Sequence, residues 1–375
     1  MDWGAGAFWL LAPAIALSMG LSPAQVGVLF AMRQIGAAVA HLPAGLVGDS
    51  IRRRGPFLLT TFWVVAVAQL AASVAPGYWT MGIFLAIASM GAAAWHPVAM
   101  GTMVQQMPNR RAFALAIHGV GGTVAEVVAP LSVGFLLSFL DWRQVLQINT
   151  LPTLLVGLMF FRVSRMIGPS RVPSPSRSEV ALLARTFVQP ATASILLIMA
   201  LHNMSLLALM SMLPLYLEET RHFSPMLTGV AFAVLVVAGA VTALVVGRIS
   251  DRAGRKPITL IGLFGGAVCM WLVTVAHGAT LVFFLLMVTG ALTLSVRIVL
   301  MAMAVEIVGR REATVLGFLS AIGEGLGAIG AAAAGIAAEN SLATALVFAA
   351  LLSLASAVVA VPHPFVPAKV PSNTA

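Results

Sequence analysis

Twelve long apolar runs, separated by short polar gaps, constrain this chain more than any other feature. They cover roughly 4–20, 24–47, 56–74, 79–104, 112–138, 144–161, 190–216, 225–247, 257–276, 280–305, 312–337 and 342–361. A helix crossing a hydrocarbon core needs about 20 predominantly apolar residues, and these runs have that length. None alternates polar and apolar residues, as a membrane β-barrel strand of about 10 residues must. Charged residues make up only 9% of the 375-residue chain and hydrophobic ones 60%. That is too little charge to solvate a folded exterior in water. The expected fold class is therefore an all-α polytopic membrane protein. The first run is only just long enough. Met1-Asp2-Trp3 leads into it with no basic segment and no small-residue cleavage site, so a signal peptide is not expected.

The formal charge is +9, but its distribution excludes nucleic-acid binding, because the basic residues are scattered between apolar runs. Seventeen of the 21 basic residues fall in the even-numbered gaps and the C-terminal tail, among them Arg52, Arg53, Arg54, Arg110, Arg111, Arg310 and Arg311. The odd gaps hold only Arg143 and Arg221. The positive-inside rule then places the even gaps and both termini in the cytosol. Cys269 is the single cysteine, so neither an intrachain disulfide nor a cysteine metal cluster is possible.

A proline-, serine- and arginine-rich segment at 162–189 divides the chain into two sets of six runs, at 1–161 and 190–361. It reads as a basic cytosolic tether with a short surface helix at 178–188, and 362–375 reads as a disordered cytosolic tail. The sets are related by repetition. Gly45 and Asp49 precede Gly247 and Asp251 by 202 positions, and Arg110-Arg111 precede Arg310-Arg311 by 200. A constant offset indicates a 6+6 repeat, a common construction in secondary transporters.

Charge inside the apolar runs is the sharpest functional signal, since each such group costs about 2.5–3.5 kcal/mol at the bilayer centre on insertion scales. Glu126 lies midway along the fifth run and Glu324 midway along the eleventh. They are expected to face one cavity as proton-coupling carboxyls, the alternative being protonated acids bonded within a helix interface. Arg33 and Arg297 cannot discharge. Each needs a carboxylate, carbonyls or an anionic substrate, and pairing with Glu324 or Glu126 is as reasonable as substrate contact. His118, Gly122, Glu126 and Pro130 recur every four residues and form one helical stripe, with His118 about 12 Å along the axis from Glu126. Trp95, His96, His202 and Asn203 complete the candidate substrate cavity, although each histidine is also reasonable as a packing or kink residue. No H-E-x-x-H, G-x-S-x-G or phosphate-binding loop is present, which argues against an enzyme or an ATP-driven pump.

The second gap motif reads Gly247-Arg248-Ile249-Ser250-Asp251-Arg252-Ala253-Gly254-Arg255-Lys256. Together with its looser first copy (Gly45, Asp49, Arg53, with Ser50 in place of a basic residue and Gly55 late) it resembles the paired loops of the major facilitator superfamily. Gly91 to Pro97 and His118 to Pro130 are similar to the fosmidomycin-resistance efflux branch. That superfamily's fourth-helix arginine is absent, with Ile87 near its place. The resemblance implies twelve helices in two pseudo-symmetric bundles, alternating access without a cofactor, and residence as a monomer in a bacterial inner membrane. Its implied partners are protons, lipids and a small-molecule substrate. It also implies that Asp49 caps the eleventh helix and Asp251 the fifth. The expected activity is proton-coupled efflux of a small organic compound. The alternatives are uptake of a small organic anion, or a receptor or assembly factor on the same scaffold.

Overall fold

The computed structural model describes residues 1–51, 53–107, 109–168, 189–308, 312–363 and 365, apart from the side chains of 42, 46–50, 111–112, 190–191, 304–308 and 312–316. Among these the chain is helical, with no strand. Twelve long helices follow in order: α1 (Asp2–Met19), α2 (Pro23–Ser50), α3 (Arg54–Ser73), α4 (Tyr78–Gln106), α5 (Arg111–Leu136), α6 (Trp142–Ser164), α7 (Pro190–Leu215), α8 (Pro225–Ala253), α9 (Arg255–Val275), α10 (Ala279–Val308), α11 (Glu312–Ala338) and α12 (Leu342–Ala360). Each coincides with one apolar run to within a few residues. Eleven are long and apolar enough to cross a membrane, and α1 is the exception. It is long enough at 18 residues, but Asp2 in its first turn, followed by Trp3 and Gly4, lowers its apolarity.

Two boundaries differ from the sequence reading. The tether expected to begin at 162 begins later, because α6 continues to Ser164; the surface helix expected at 178–188 and the tail from 366 lie outside the described residues. The gap motifs are also mostly helical. α2 runs through Asp49 to Ser50 and α8 through Asp251 to Ala253, so helix continues past the last apolar residue wherever backbone bonding does. The α8–α9 turn is a single residue, Gly254, at φ 91°, a conformation costly for any residue with a Cβ.

Helix pairing repeats under a shift of six. The pairs α1–α5, α1–α6, α2–α4, α3–α4 and α3–α6 recur as α7–α11, α7–α12, α8–α10, α9–α10 and α9–α12. The two sets meet through α2–α11 and α5–α8, which exchange under the same shift. The result is two pseudo-symmetric six-helix bundles. Exposed side chains such as Leu17, Val67, Phe139, Met159 and Leu244 give the outside an apolar coat suited to lipid.

The bundles are joined unequally at their two ends. Away from the basic gaps, one hydrophobic core includes Phe8, Phe30 and Val133 of the first bundle with Leu209, Phe232 and Ala334 of the second. Toward the basic end the cores separate, into Leu58, Val98 and Ala99 on one side and Ile198, Val299 and Leu319 on the other. Close backbone approach marks the joined end. A Cβ on Gly27 of α2 would meet the Gly335 Cα at 3.0 Å, and one on Gly134 of α5 would meet the Pro225 oxygen at 2.6 Å. The Glu339 carboxylate, just beyond α11, accepts the Ala24 N–H in the first turn of α2 at 2.9 Å. The hydrophobic cores therefore merge away from the basic gaps and separate toward them, although α2 and α11 also meet near the basic end, where a Cβ on Gly317 would lie 3.6 Å from the His41 oxygen.

Candidate functional site

Polar groups of the second bundle meet at a small cleft, bounded by Met199 and Asn203 of α7, Arg297 and Met301 of α10, and Leu319, Ser320, Gly323 and Glu324 of α11. Arg297 is exposed although it sits well within an apolar helix, so the cleft gives it polar surroundings. It is the electrostatic neighbour of both Glu324 and Glu126. The two acids expected to share a cavity thus share a cation. Glu126 is exposed on its helix, while Glu324 is half-buried. Gly323 lets Asn203 approach, since a Cβ there would lie 2.9 Å from Asn203 Nδ2.

Glu324 reaches across to the first bundle. Gln34 Nε2 of α2 donates to Glu324 Oε2, so this carboxylate bridges α11 and α2. Arg33 is buried at 6% exposure, with its guanidinium 4.4 Å from the Phe8 ring centroid. Glu324 is its electrostatic neighbour. Cation–π contact and a nearby carboxylate keep this buried charge favourable.

The first bundle contributes a second polar cluster. Asp2 Oδ1 of α1 lies 3.0 Å from His96 Nε2 of α4. His96 Nδ1 in turn lies 3.3 Å from His118 Nε2 of α5. Trp95 stacks on His118, with centroids 5.2 Å apart and planes at 22°. α1 and α5 run side by side in register, for a Cβ on Gly122 would sit 3.2 Å from Asp2 Oδ2, and one on Gly6 would sit 3.4 Å from the Glu126 Cα.

His202 is placed differently from expectation. It is 2% exposed, and neither ring nitrogen has a hydrogen-bond partner among the described residues. Its neighbour Asn203 lines the cleft instead, because one residue turns a helical side chain through about 100°. Sequence reasoning missed Asp2, Gln34 and His41, the last an electrostatic neighbour of His96 and Arg297. An acid opening an apolar run was the available signal for Asp2, and adjacency to Arg33 the signal for Gln34.

At the basic end, Arg255 Nη1 donates to Ser250 Oγ and pairs with Asp251 Oδ1, both at 2.8 Å. Asp251 and Arg252 are exposed, and Gly247 and Gly254 frame the segment. Among the described residues Asp251 pairs with Arg255 of its own turn, and Arg110, which precedes α5, provides no side-chain cap. In the first copy, Arg53 is exposed and Gly45 half-buried. The Asp49 side chain, and with it the expected cap of α11, lies outside the described residues. Gly55 makes no turn; it provides close helix packing, where a Cβ would collide with the Ser164 carbonyl oxygen.

The architecture is shared with solved transporters. The nucleoside transporter NupG superposes with a TM-score of 0.82 at 14% identity, covering 96% of each chain. A bacterial homologue of the human lysosomal transporter Spinster superposes at 0.73 and 18%, covering 96% of this chain and 92% of that one. In sequence, the chain is 25% identical over 266 residues to a putative metabolite transport protein of Haemophilus influenzae, covering 68% of this chain. It is 27% identical over 284 residues, 72% of its length, to a probable 4-methylmuconolactone transporter of Cupriavidus pinatubonensis. These alignments span 65% and 63% of those two relatives, somewhat under two-thirds. The multidrug resistance protein MdtL of Klebsiella pneumoniae is 25% identical over 283 residues, covering 68% of this chain and 71% of that protein. A single family description covers the chain in two overlapping stretches, residues 1–273 and 195–375. With the apolar helices and the repeated pairing, it establishes this chain as a multi-pass membrane protein that belongs to the Major Facilitator Superfamily.

Proposed function

We propose that the protein is a proton-coupled exporter that exchanges a small organic compound for protons by alternating access. The observation that carries this reading is that Arg297, in the cleft wall, is the electrostatic neighbour of both Glu126 of the first bundle and Glu324 of the second. A carboxyl beside a fixed cation can hold either a proton or an ion pair, and substrate can compete for the same groups. Arg33, Trp95, His96, His118 and Asn203 are assigned with Arg297 to the cavity or its immediate support, and His202 to the packing behind Asn203. Gly45, Asp49, Arg53, Gly247, Asp251, Arg252, Gly254 and Arg255 are assigned to the gate at the basic end. With that end cytosolic by the positive-inside rule, the present state faces inward and the chain acts as a monomer in a bacterial inner membrane. Residues 1–161 and 190–361 form the rocking units. Similarity to a multidrug resistance protein supports export. Uptake of a small organic anion is the second reading, supported by Arg297 in the cleft wall.

The test is transport of a panel of small cationic, neutral and anionic organic compounds in proteoliposomes under an imposed pH gradient. Glu126→Gln, which mimics the protonated acid, is expected to reduce gradient-driven movement at least about tenfold, equivalent to about 1.4 kcal/mol, while exchange down a gradient persists. Glu324→Gln is expected to do less. Uphill transport by Glu126→Gln at the native rate overturns the assignment, and proton-driven accumulation of anions alone favours the second reading.

A further inference from the structure

The row Asp2–His96–His118 is more than a packing cluster, and its reading rests on Glu126 being the proton-coupling acid proposed above. His96 turns its two ring nitrogens in opposite directions, Nε2 to the Asp2 carboxylate at 3.0 Å and Nδ1 to His118 Nε2 at 3.3 Å. The three groups therefore stand in line rather than converge, and among the described residues no three such side chains are placed to hold a metal ion. The row also has a direction. His118 lies eight residues nearer the basic end of α5 than Glu126, about 12 Å along the axis. Asp2 lies between them, against Gly122, one turn short of Glu126. The His96 and Asp2 side chains retain 25% and 26% exposure, so the row is not sealed inside the first bundle.

We propose that His118, His96 and Asp2 form a proton relay between the basic end of the cavity and Glu126. In the resting tautomer His118 Nε2–H donates to His96 Nδ1, and His96 Nε2–H donates to the Asp2 carboxylate. A proton arriving at His118 Nδ1 allows the Nε2 proton to pass to His96 Nδ1, while the His96 Nε2 proton passes to Asp2. Each ring loses one N–H bond and gains one, Asp2 gains an O–H bond, and one positive charge moves inward. Each ring then gives its Nδ1 proton to water and takes a proton from water at Nε2, which restores the starting tautomers with no net change, and water carries the proton from Asp2 along the last turn of α5 to Glu126. A single N–H can occupy the His96–His118 contact, so the two imidazoles cannot both be charged in this geometry. Charged and titratable groups facing the row are Glu126 of α5, His41 of α2, Glu324 of α11 and the Met1 amino group, with Arg297 of α10 reaching His41 and both acids.

Trp95 provides the readout, because an indole stacked on an imidazole loses emission when that imidazole becomes cationic. The experiment uses the full chain in lipid nanodiscs without substrate or gradient. Emission of the native chain minus that of Trp95→Phe, which cancels the other tryptophans, is recorded between about pH 5 and 8, the range in which histidine switches. Native protein is expected to show a Trp95 signal that titrates, and His118→Gln is expected to abolish it. Asp2→Asn and His96→Gln, which leave the stacked pair intact, are each expected to move its midpoint by about half a pH unit or more, as coupled sites do. Gly122→Ala is a second route to the same result if Asp2→Asn fails to fold, since its Cβ displaces the carboxylate while keeping the charge. A Trp95 signal with no His118-dependent step, or a midpoint unmoved by the Asp2 and Gly122 changes, overturns the relay. Coupled titration in a protein whose Glu126→Gln variant still pumps uphill leaves the row intact and removes the assignment of Glu126 instead.

Discussion

At the scale of single residues, burial separates groups with similar sequence signatures. His96 and His202 both interrupt apolar helices. His96 has partners on both nitrogens, whereas His202 is buried at 2% exposure without one among the described residues. A buried polar group without a partner costs about 1–3 kcal/mol. His202→Met, of similar volume, is therefore expected to raise the thermal midpoint, by an amount equivalent to about 1–2 kcal/mol, with transport retained. A lower midpoint would mean that the imidazole is bonded in the native protein. Arg143 and Arg221, the exceptions to the charge bias, are also explained at this scale. Arg143 donates to the Ser73 carbonyl at the end of α3, and Arg221 donates to the Val273 carbonyl at the end of α9, both at 2.7 Å. Each guanidinium satisfies the free carbonyls of a helix C-terminus, and the two helices are equivalent in the repeat.

Individual helices meet through devices that fix how the bundles close. Ser22 and Gln25 form a reciprocal cap at the start of α2, and Glu339 from the other bundle adds a third bond to the same turn. Bonding to the Ser22 side chain and then to the Ala24 N–H holds the Glu339 carboxyl below its ordinary value. A depressed acid contributes its stabilisation above the unfolded value, about 4.3, and loses it as pH falls through the lower, folded-state value. Labelling of a cysteine introduced at Ala334, which is fully buried in the joint core, should report the clasp in a Cys269→Ser background. Relative to a fully exposed cysteine, which cancels the fall in thiolate with pH, we expect a labelling rate that is flat from about pH 8 to 4.5 and rises below that. Glu339→Gln is expected to raise it several-fold at neutral pH, and an unchanged rate would show that the backbone contacts alone keep this end shut.

Across the whole molecule, the repeat and the asymmetric closure belong together. Two equivalent bundles joined by α2–α11 and α5–α8 can rock about their contacts, with one end shut while the other is open. Among the described residues Asp251 is paired with Arg255 of its own turn. Its exposed i,i+4 bond to Arg255 is worth about 0.3–0.5 kcal/mol, so Asp251→Asn is expected to change stability by no more than that. We expect the same variant to slow initial transport rates several-fold, because the carboxylate is assigned to cap α5 when the basic end shuts. Native rates would confine Asp251 to the α8–α9 turn.

The sequence by itself determined the twelve helices, the division into halves and the pairing of Glu126 with Glu324. Those properties depend on run length, charge bias and a constant offset, all of which act locally or repeat along the chain. It also placed gaps at 105–111 and 248–256, within which the structure breaks the helices after Gln106 and at Gly254. Tertiary structure alone decided which polar groups meet. Asp2 belongs to a row with His96 and His118 because α1 packs in register along α5, and Gln34 meets Glu324 because α2 crosses to the other bundle. Asn203 rather than His202 lines the cleft because α7 is rotated by its packing on α11 and α12. Such meetings join side chains up to 290 positions apart, and no local pattern encodes them. They follow from close packing at Gly27, Gly134 and Gly335, where one added Cβ would move a helix and every contact along it.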